Sequence, residues 1–371
     1  MKLRVLHTES STGWGGQEIR ILTEARGMLD RGHEVTLVTP AEAQIAPAAE
    51  ARGIPTVRLP IARKDLRGLV AMRGWLGRNA RRFDVINTHS STDAWLVAAS
   101  RLSIWGAPPV VRTRHVSTRV NRHPPTRWLY QVATRHIVTT GEALRQQLHR
   151  DNGYDLARMT SVRTGIDLAR FRPREASGAR ATAGVPDRPT LGILATLRDW
   201  KGHVQLLEAW HALRPDFPEW QLLVVGDGPQ RGSLEALAGR LELGPSIRFV
   251  GNQDDAPLWL ACMDVFCLPS YGDEGVPQGL MQAMACGVPA VSTPIGAIAE
   301  ALQDGATGLM TPPRDAATLA STLRRLLADA ELRRRFSEAS VQYACRNFGI
   351  DVMLDAMEAV FAANRARRSR G

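Results

Sequence analysis

The feature that most constrains this chain is a repeated alternation. Short apolar runs are each followed by a stretch with helical spacing, in two series with an irregular segment between them. The first series places strands at 3–7, 34–38, 57–59, 85–88, 110–112, 137–140 and 159–162. Helices are expected at 17–31, 65–80, 92–103, 126–134 and 142–150. The second places strands at 191–195, 221–225, 248–250, 265–268 and 290–292. Strands that alternate with helices imply a parallel sheet covered on both faces. The expected fold is therefore α/β, with two Rossmann-like doubly wound domains facing across a cleft, and ligands beyond the carboxyl ends of the strands.

A chain of 371 residues is long enough for two such domains. The boundaries predicted are 1–172 for the first domain, a linker at 173–188, 189–348 for the second, and a C-terminal helix with a basic tail at 349–371. That last segment is expected to pack back toward the first domain. The linker is suggested by Pro173, Gly178, Gly184 and Pro186 among charges and alanines. No apolar run is long enough to span a bilayer, and the chain enters directly on a strand. A cytoplasmic protein is expected. Cys262, Cys267, Cys286 and Cys345 lack metal-ligand spacing and lie among apolar residues, as buried free thiols would.

The net charge of +10 is unevenly spread: residues 1–175 hold 28 Lys and Arg against 15 Asp and Glu, leaving 19 against 22 in the remainder. A basic half suits an anionic partner: nucleic acid, an acidic membrane surface or a phosphorylated acceptor. No recognised nucleic-acid module accompanies the charge, so no nucleic-acid partner is expected. The segment 63–82 mixes seven cations with Leu66, Leu69, Val70, Trp75 and Leu76. It reads equally as a membrane-surface helix and as a helix packed on its own sheet.

Four stretches carry chemistry. Residues 270–287 follow the strand 265–268. Glu274 falls at a strand end and Pro277 suits a first helical turn, and the backbone N–H groups of Gln278 and Gly279 then make an anion site. Residues 195–203 follow the strand 191–195 and include Arg198, Lys201 and Gly202. The turn Gly226-Asp227-Gly228-Pro229 follows the strand 221–225. Gly13-Trp14-Gly15-Gly16 follows the first strand, without the spacing of a dinucleotide fingerprint. His89 and His115 end strands in the first half, whereas His123, His136 and His149 lack such a context. Read by itself, Glu274 is as readily a helix cap as a ligand, and a loop lysine is ordinarily solvated.

Taken together and in order, these stretches resemble the family 4 retaining glycosyltransferases of GT-B architecture. The resemblance covers nearly the whole chain and is most specific over 190–310. It implies that Glu274 contacts the transferred sugar and that His115 binds it from the first domain, these two forming the catalytic set. It implies a donor site of Lys201, Arg198, Gly15, Gly16, Gly275, Val276, Pro277, Gln278, Gly279 and Gln282. His89 and Arg114 fall on the acceptor side. Two positions depart from the family pattern. Gln282 stands where a second glutamate holds the donor ribose, and Thr196 stands where the family has arginine, with Arg198 two residues on.

The implied reaction moves a hexose from a UDP- or GDP-linked donor to an acceptor hydroxyl with retention, and needs neither a cofactor nor a metal. The basic first half suggests an anionic or lipid-linked glycan acceptor such as a lipopolysaccharide core, with peripheral attachment to the inner face of the cytoplasmic membrane. The alternatives are an enzyme making a soluble glycoside and a non-catalytic sugar-nucleotide-binding protein.

Overall fold

Thirteen strands form two parallel sheets in the computed structural model, which describes residues 1–115, 118–272 and 274–366. The chain divides into two units, Met1–Gly165 together with the C-terminal stretch from Ile350, and Ile166–Gly349. The first unit holds β1 (Arg4–Thr8), β2 (Glu34–Thr39), β3 (Thr56–Arg58), β4 (Val85–Thr88), β5 (Val110–Arg114), β6 (His136–Thr139) and β7 (Met159–Ser161). Their order across the sheet is β3-β2-β1-β4-β5-β6-β7.

Successive strand residues face opposite sides of a sheet, so both layers can be read from neighbouring positions. Val5, Leu37, Val85 and Val111 enter one core with Ile21, Leu22 and Met28 of the helix Gly16–Asp30. Leu6, Val38, Ile86 and Val110 enter the other core with Met72 and Leu76 of the helix Leu66–Asn79. The first core is completed from the far end of the chain. Met353, Leu354, Met357, Val360 and Phe361 of the helix Ile350–Asn364 are buried in it.

The second unit holds β8 (Thr190–Leu194), β9 (Gln221–Val225), β10 (Ile247–Gly251), β11 (Val265–Leu268), β12 (Ala290–Ser292) and β13 (Gly308–Met310). They lie in the order β10-β9-β8-β11-β12-β13, all parallel. The strand β13 has no counterpart in the sequence reading, because three residues beginning with glycine carry too little apolar pattern.

Three other expectations are corrected. The segment 173–188 is not an irregular linker but contains the helix Ala176–Ala183. Glu175 caps that helix by accepting from Ser177 N at 2.7 Å, and Gly184, at φ +63°, ends it. Arg180 then anchors the helix to the second unit, donating to Cys262 O at 3.1 Å and pairing with Asp264 and Asp187. The division between units falls after Gly165 rather than at residue 172. Cys345 is exposed, while Cys262, Cys267 and Cys286 are buried free thiols. Of the basic tail, residues 367–371 lie outside the described residues. Among the described residues no helix is long and apolar enough to cross a membrane.

Candidate active site

A doubly wound sheet binds ligands where its strand order reverses, beyond the carboxyl ends of the two strands that flank the reversal. In the second unit those strands are β8 and β11. The first runs into 195–202 and the second into 269–277, so topology alone brings the two most informative sequence stretches together. Tyr271 N donates to Trp200 O at 2.8 Å, joining the loops by their backbones. Lys201 Nζ then lies 2.6 Å from Glu274 Oε1, with the side chains only 18% and 10% exposed.

Two glycines hold this geometry. Gly202 has φ +78°, and a Cβ there would stand 2.0 Å from Pro269 O. Gly296 has φ +58°, and its Cβ would stand 2.0 Å from Glu274 O, which also accepts from Ala297 N at 3.0 Å. Only glycine lets the backbones meet so closely in that conformation. Gly296 was missed in the sequence. Its one signal was its place just after the strand β12.

Glu274 is not a helix cap. The helix Gln278–Ala285 begins after Pro277, and among the described residues no side chain caps it. A Cβ on Gly279 would lie 2.7 Å from Leu194 O, so the helix start sits directly against the end of β8. Gly275 is half-buried and Val276 and Pro277 are buried in the approach to it. Gln282 lies one turn after Gln278 on the same face and is half-buried. Arg198 is exposed, its guanidinium 5.3 Å from the Trp200 ring centre, and it is not part of the Lys201–Glu274 pair. Asp273 lies outside the described residues.

In the first unit the reversal falls between β1 and β4. Gly15 precedes the helix Gly16–Asp30 in an extended conformation that any residue adopts, so its use lies in its small size rather than its φ. The loop before it is tied down by Glu9, which accepts from Ser11 N at 2.6 Å and from Gln17 Nε2. Burial first, and the nearby Asp93 second, push the Glu9 carboxyl up to about 8. Asp93 caps the helix Ser91–Arg101, accepting from Ser90 N at 2.9 Å and from Thr8 Oγ1 at 2.7 Å. Neither acid was singled out in the sequence, since a lone carboxylate after a strand looks like any polar loop residue. Beside them is a cavity of about 520 Å³ lined by Ser10, Ser11, Thr12, Ser90, Ser91 and Arg63, among others.

His115 is half-buried at the end of β5. His89 and Arg114, both expected on the acceptor side, are internal. His89 is 3% exposed, with one ring nitrogen 2.9 Å from His7 and the other 3.0 Å from His115. Arg114 donates to Tyr130 Oη at 2.9 Å and to Thr118 O. His89 therefore supports His115 from behind, while Arg114 ties the end of β5 to Tyr130 and Thr118. Among the described residues no group of His, Cys, Asp and Glu is arranged to hold a metal ion.

Comparison with known proteins decides the family. A model described as "Glycosyltransferase Family 4" matches residues 14–170, and one described as "Glycosyl transferases group 1" matches residues 188–329. The chain belongs to the family 4 glycosyltransferases. It is 28% identical to a D-inositol 3-phosphate glycosyltransferase of Salinispora arenicola, over 96% of this chain and 89% of the relative. It is 26% identical to the 2-deoxystreptamine N-acetyl-D-glucosaminyltransferase of Streptomyces fradiae, over 95% and 93%. Among solved structures, a glycosyltransferase from Rickettsia africae superposes with a TM-score of 0.87 at 18% identity, covering 98% of both chains. HepE of Anabaena in complex with UDP superposes with a TM-score of 0.86 at 19% identity, covering 97% of this chain and all of that one. The two doubly wound sheets of this glycosyltransferase are thus those of the GT-B fold.

Proposed function

We propose that this glycosyltransferase moves a sugar from a nucleoside diphosphate to a hydroxyl of a compact anionic polyol, with retention of anomeric configuration. The Lys201–Glu274 pair at the β8–β11 reversal is the observation that carries the reading. Lys201 and the backbone N–H groups at Gln278 and Gly279 neutralise the departing diphosphate, as preorganised charge and helix-start donors do. Arg198 swings from Trp200 to the same phosphates. Diphosphate binding draws Lys201 away from Glu274, whose freed carboxylate accepts hydrogen bonds from the sugar hydroxyls. The amide of Gln282 donates to and accepts from the ribose. His115 accepts or donates a hydrogen bond with a sugar hydroxyl, and the small Gly15 and Gly16 let a ligand approach the backbone.

The acceptor class rests on the cavity beside β1 and β4. Its hydroxyl-bearing residues suit a polyol, and Arg63 suits a phosphate. Relatives named as D-inositol 3-phosphate glycosyltransferases support a phosphorylated polyol over a lipopolysaccharide core. A panel of UDP, GDP and ADP tests the donor side by thermal shift, with UDP the first probe because HepE was solved holding it. One nucleotide is expected to raise the melting temperature in a concentration-dependent way. No shift with any of the three removes the donor site.

A second reading, a lipid-linked acceptor at an anionic membrane, is favoured by one observation. Leu66 and Val70 stand one turn apart on the helix Leu66–Asn79, 74% and 62% exposed, among Arg63, Lys64 and Arg67. Arg73 of that helix donates to Ser103 at 2.7 Å, beside the exposed Leu102 and Trp105. If lipid is the partner, the protein floats with vesicles containing an anionic phospholipid at low salt, and the double variant Leu66→Asp, Val70→Asp does not. Absence of flotation at low salt removes this reading.

A further inference from the structure

Behind His115 a line of polar side chains runs inward to the core of the first unit. His115 Nε2 is 3.0 Å from His89 Nδ1, and His89 Nε2 is 2.9 Å from His7 Nδ1. His7 Nε2 then lies 3.9 Å from Glu24 Oε1. His7 and Glu24 have no exposed surface, and the His7 and His89 rings stack at 5.2 Å. Burial holds all three imidazoles neutral: His7 is lowered to about 3, and His89 and His115 are well below the ordinary range.

A neutral imidazole has one N–H and one lone pair. Each contact in the line therefore needs a donor on one ring and an acceptor on the next. This makes the arrangement all or none. Either every ring carries its proton on Nε2 or every ring carries it on Nδ1. An ionised Glu24 beside His7 Nε2 favours the first arrangement, because that nitrogen then directs an N–H at the carboxylate. We propose that His7, backed by Glu24, is a positioning residue that acts through His89 to fix the tautomer of His115, with the proton on Nε2 and the lone pair on Nδ1. His115 Nδ1 is then an acceptor for a sugar hydroxyl, a role that rests on the function proposed above.

The surroundings make Glu24 the controlling group. It accepts from Asn87 Nδ2 at 3.4 Å, and Arg20 Nε is 3.8 Å away. Arg20 is itself fixed by donating to Val162 O at 2.7 Å. Burial pushes the Glu24 carboxyl up to about 7 against the pull of Arg20 and Asn87. The other charged groups near the line are Asp93, which accepts from His89 N at 3.0 Å, and Arg112, which acts on Asp93.

The test is nitrogen NMR of the histidine rings at about pH 8.5, where Glu24 is ionised. In the unaltered protein His115 is expected as the Nε2–H tautomer. His7→Phe keeps the aromatic face against His89 and the edge contact with Phe361, but removes the acceptor. A buried His89 Nε2–H would then be unsatisfied, the costlier of the two defects. His89 moves its proton to Nδ1 and donates outward, and His115 inverts to Nδ1–H. Turnover is expected to fall about tenfold, the worth of one hydrogen bond, with the affinity for UDP alone unchanged. Glu24→Gln, which keeps the shape, is expected to leave His115 as a mixture of tautomers and serves if His7→Phe does not fold. Retention of a pure Nε2–H tautomer on His115 in the variants overturns the inference. An inverted tautomer with unaltered turnover supports it and instead removes His115 from the reacting sugar.

Discussion

Glu274→Ala is expected to lower turnover by at least about 100-fold while UDP alone binds as tightly as before, or tighter. The two halves of that result have one cause. In the protein Glu274 engages Lys201 at 2.6 Å, so a diphosphate must compete with a carboxylate for the same ammonium. Removing the carboxylate frees the cation and takes a negative charge away from the phosphates. What is lost is the group that orients the sugar, and orientation is worth about two orders of magnitude when a reacting centre is misplaced by an ångström. Lys201→Ala is expected to behave differently. Turnover falls by about 10²–10³, as when a preorganised electrostatic group is removed, and UDP affinity falls with it. Calorimetric titration with UDP beside a product assay separates the two. If UDP weakens equally in both variants, the competition between carboxylate and diphosphate is not real.

Gly202→Ala should be, with Gly296→Ala, among the most damaging single methyl groups in the second unit. Its φ of +78° is costly for any residue with a Cβ, and the added atom would stand 2.0 Å from the carbonyl of Pro269. The obstacle is backbone, so no side-chain rotation relieves it. The expected loss is about 2–3 kcal/mol, which for a unit of this size lowers the melting temperature by about 4–12 °C. Activity should fall further than stability, because the neighbouring residue is Lys201 and the displaced loop separates it from Glu274. Gly232→Ala is the control. That glycine lies in the helix Arg231–Arg240 with nothing within 4 Å of the added carbon, and the change should be neutral or slightly stabilising. Equal melting temperatures for the two variants would show that the loop yields freely.

Much of this fold was legible in the sequence because buried parallel strands are short apolar runs. The runs at β4, β9, β11 and β12 coincide with the strands residue for residue. The pairing of Lys201 with Glu274 was legible only as two strand-end loops; the strand order that makes them neighbours comes from which strands pair, a long-range property. The helix Ala176–Ala183 was hidden by the glycine and prolines around it, whose disordering tendency is overcome by the buried Arg180. The family resemblance put His89 on the acceptor side, and Arg114 joined it as one of the cations crowded beside His115. Sequence position cannot tell a side chain facing a ligand from one facing its neighbours. The line from His115 to Glu24 joins residues 91 positions apart and left no pattern along the chain.

The helix Ile350–Asn364 has a consequence for how the chain comes off the ribosome. It supplies Met353, Leu354, Met357, Val360 and Phe361 to a core otherwise made from the first 165 residues. The second unit, Ile166–Gly349, has emerged completely before that helix does. Synthesis therefore finishes the later unit first, while the earlier one waits with one flank of its sheet uncovered. The usual order, in which the N-terminal domain is complete before the next begins, is reversed. A chain truncated after Gly349 should hold a folded second unit and an unfinished first.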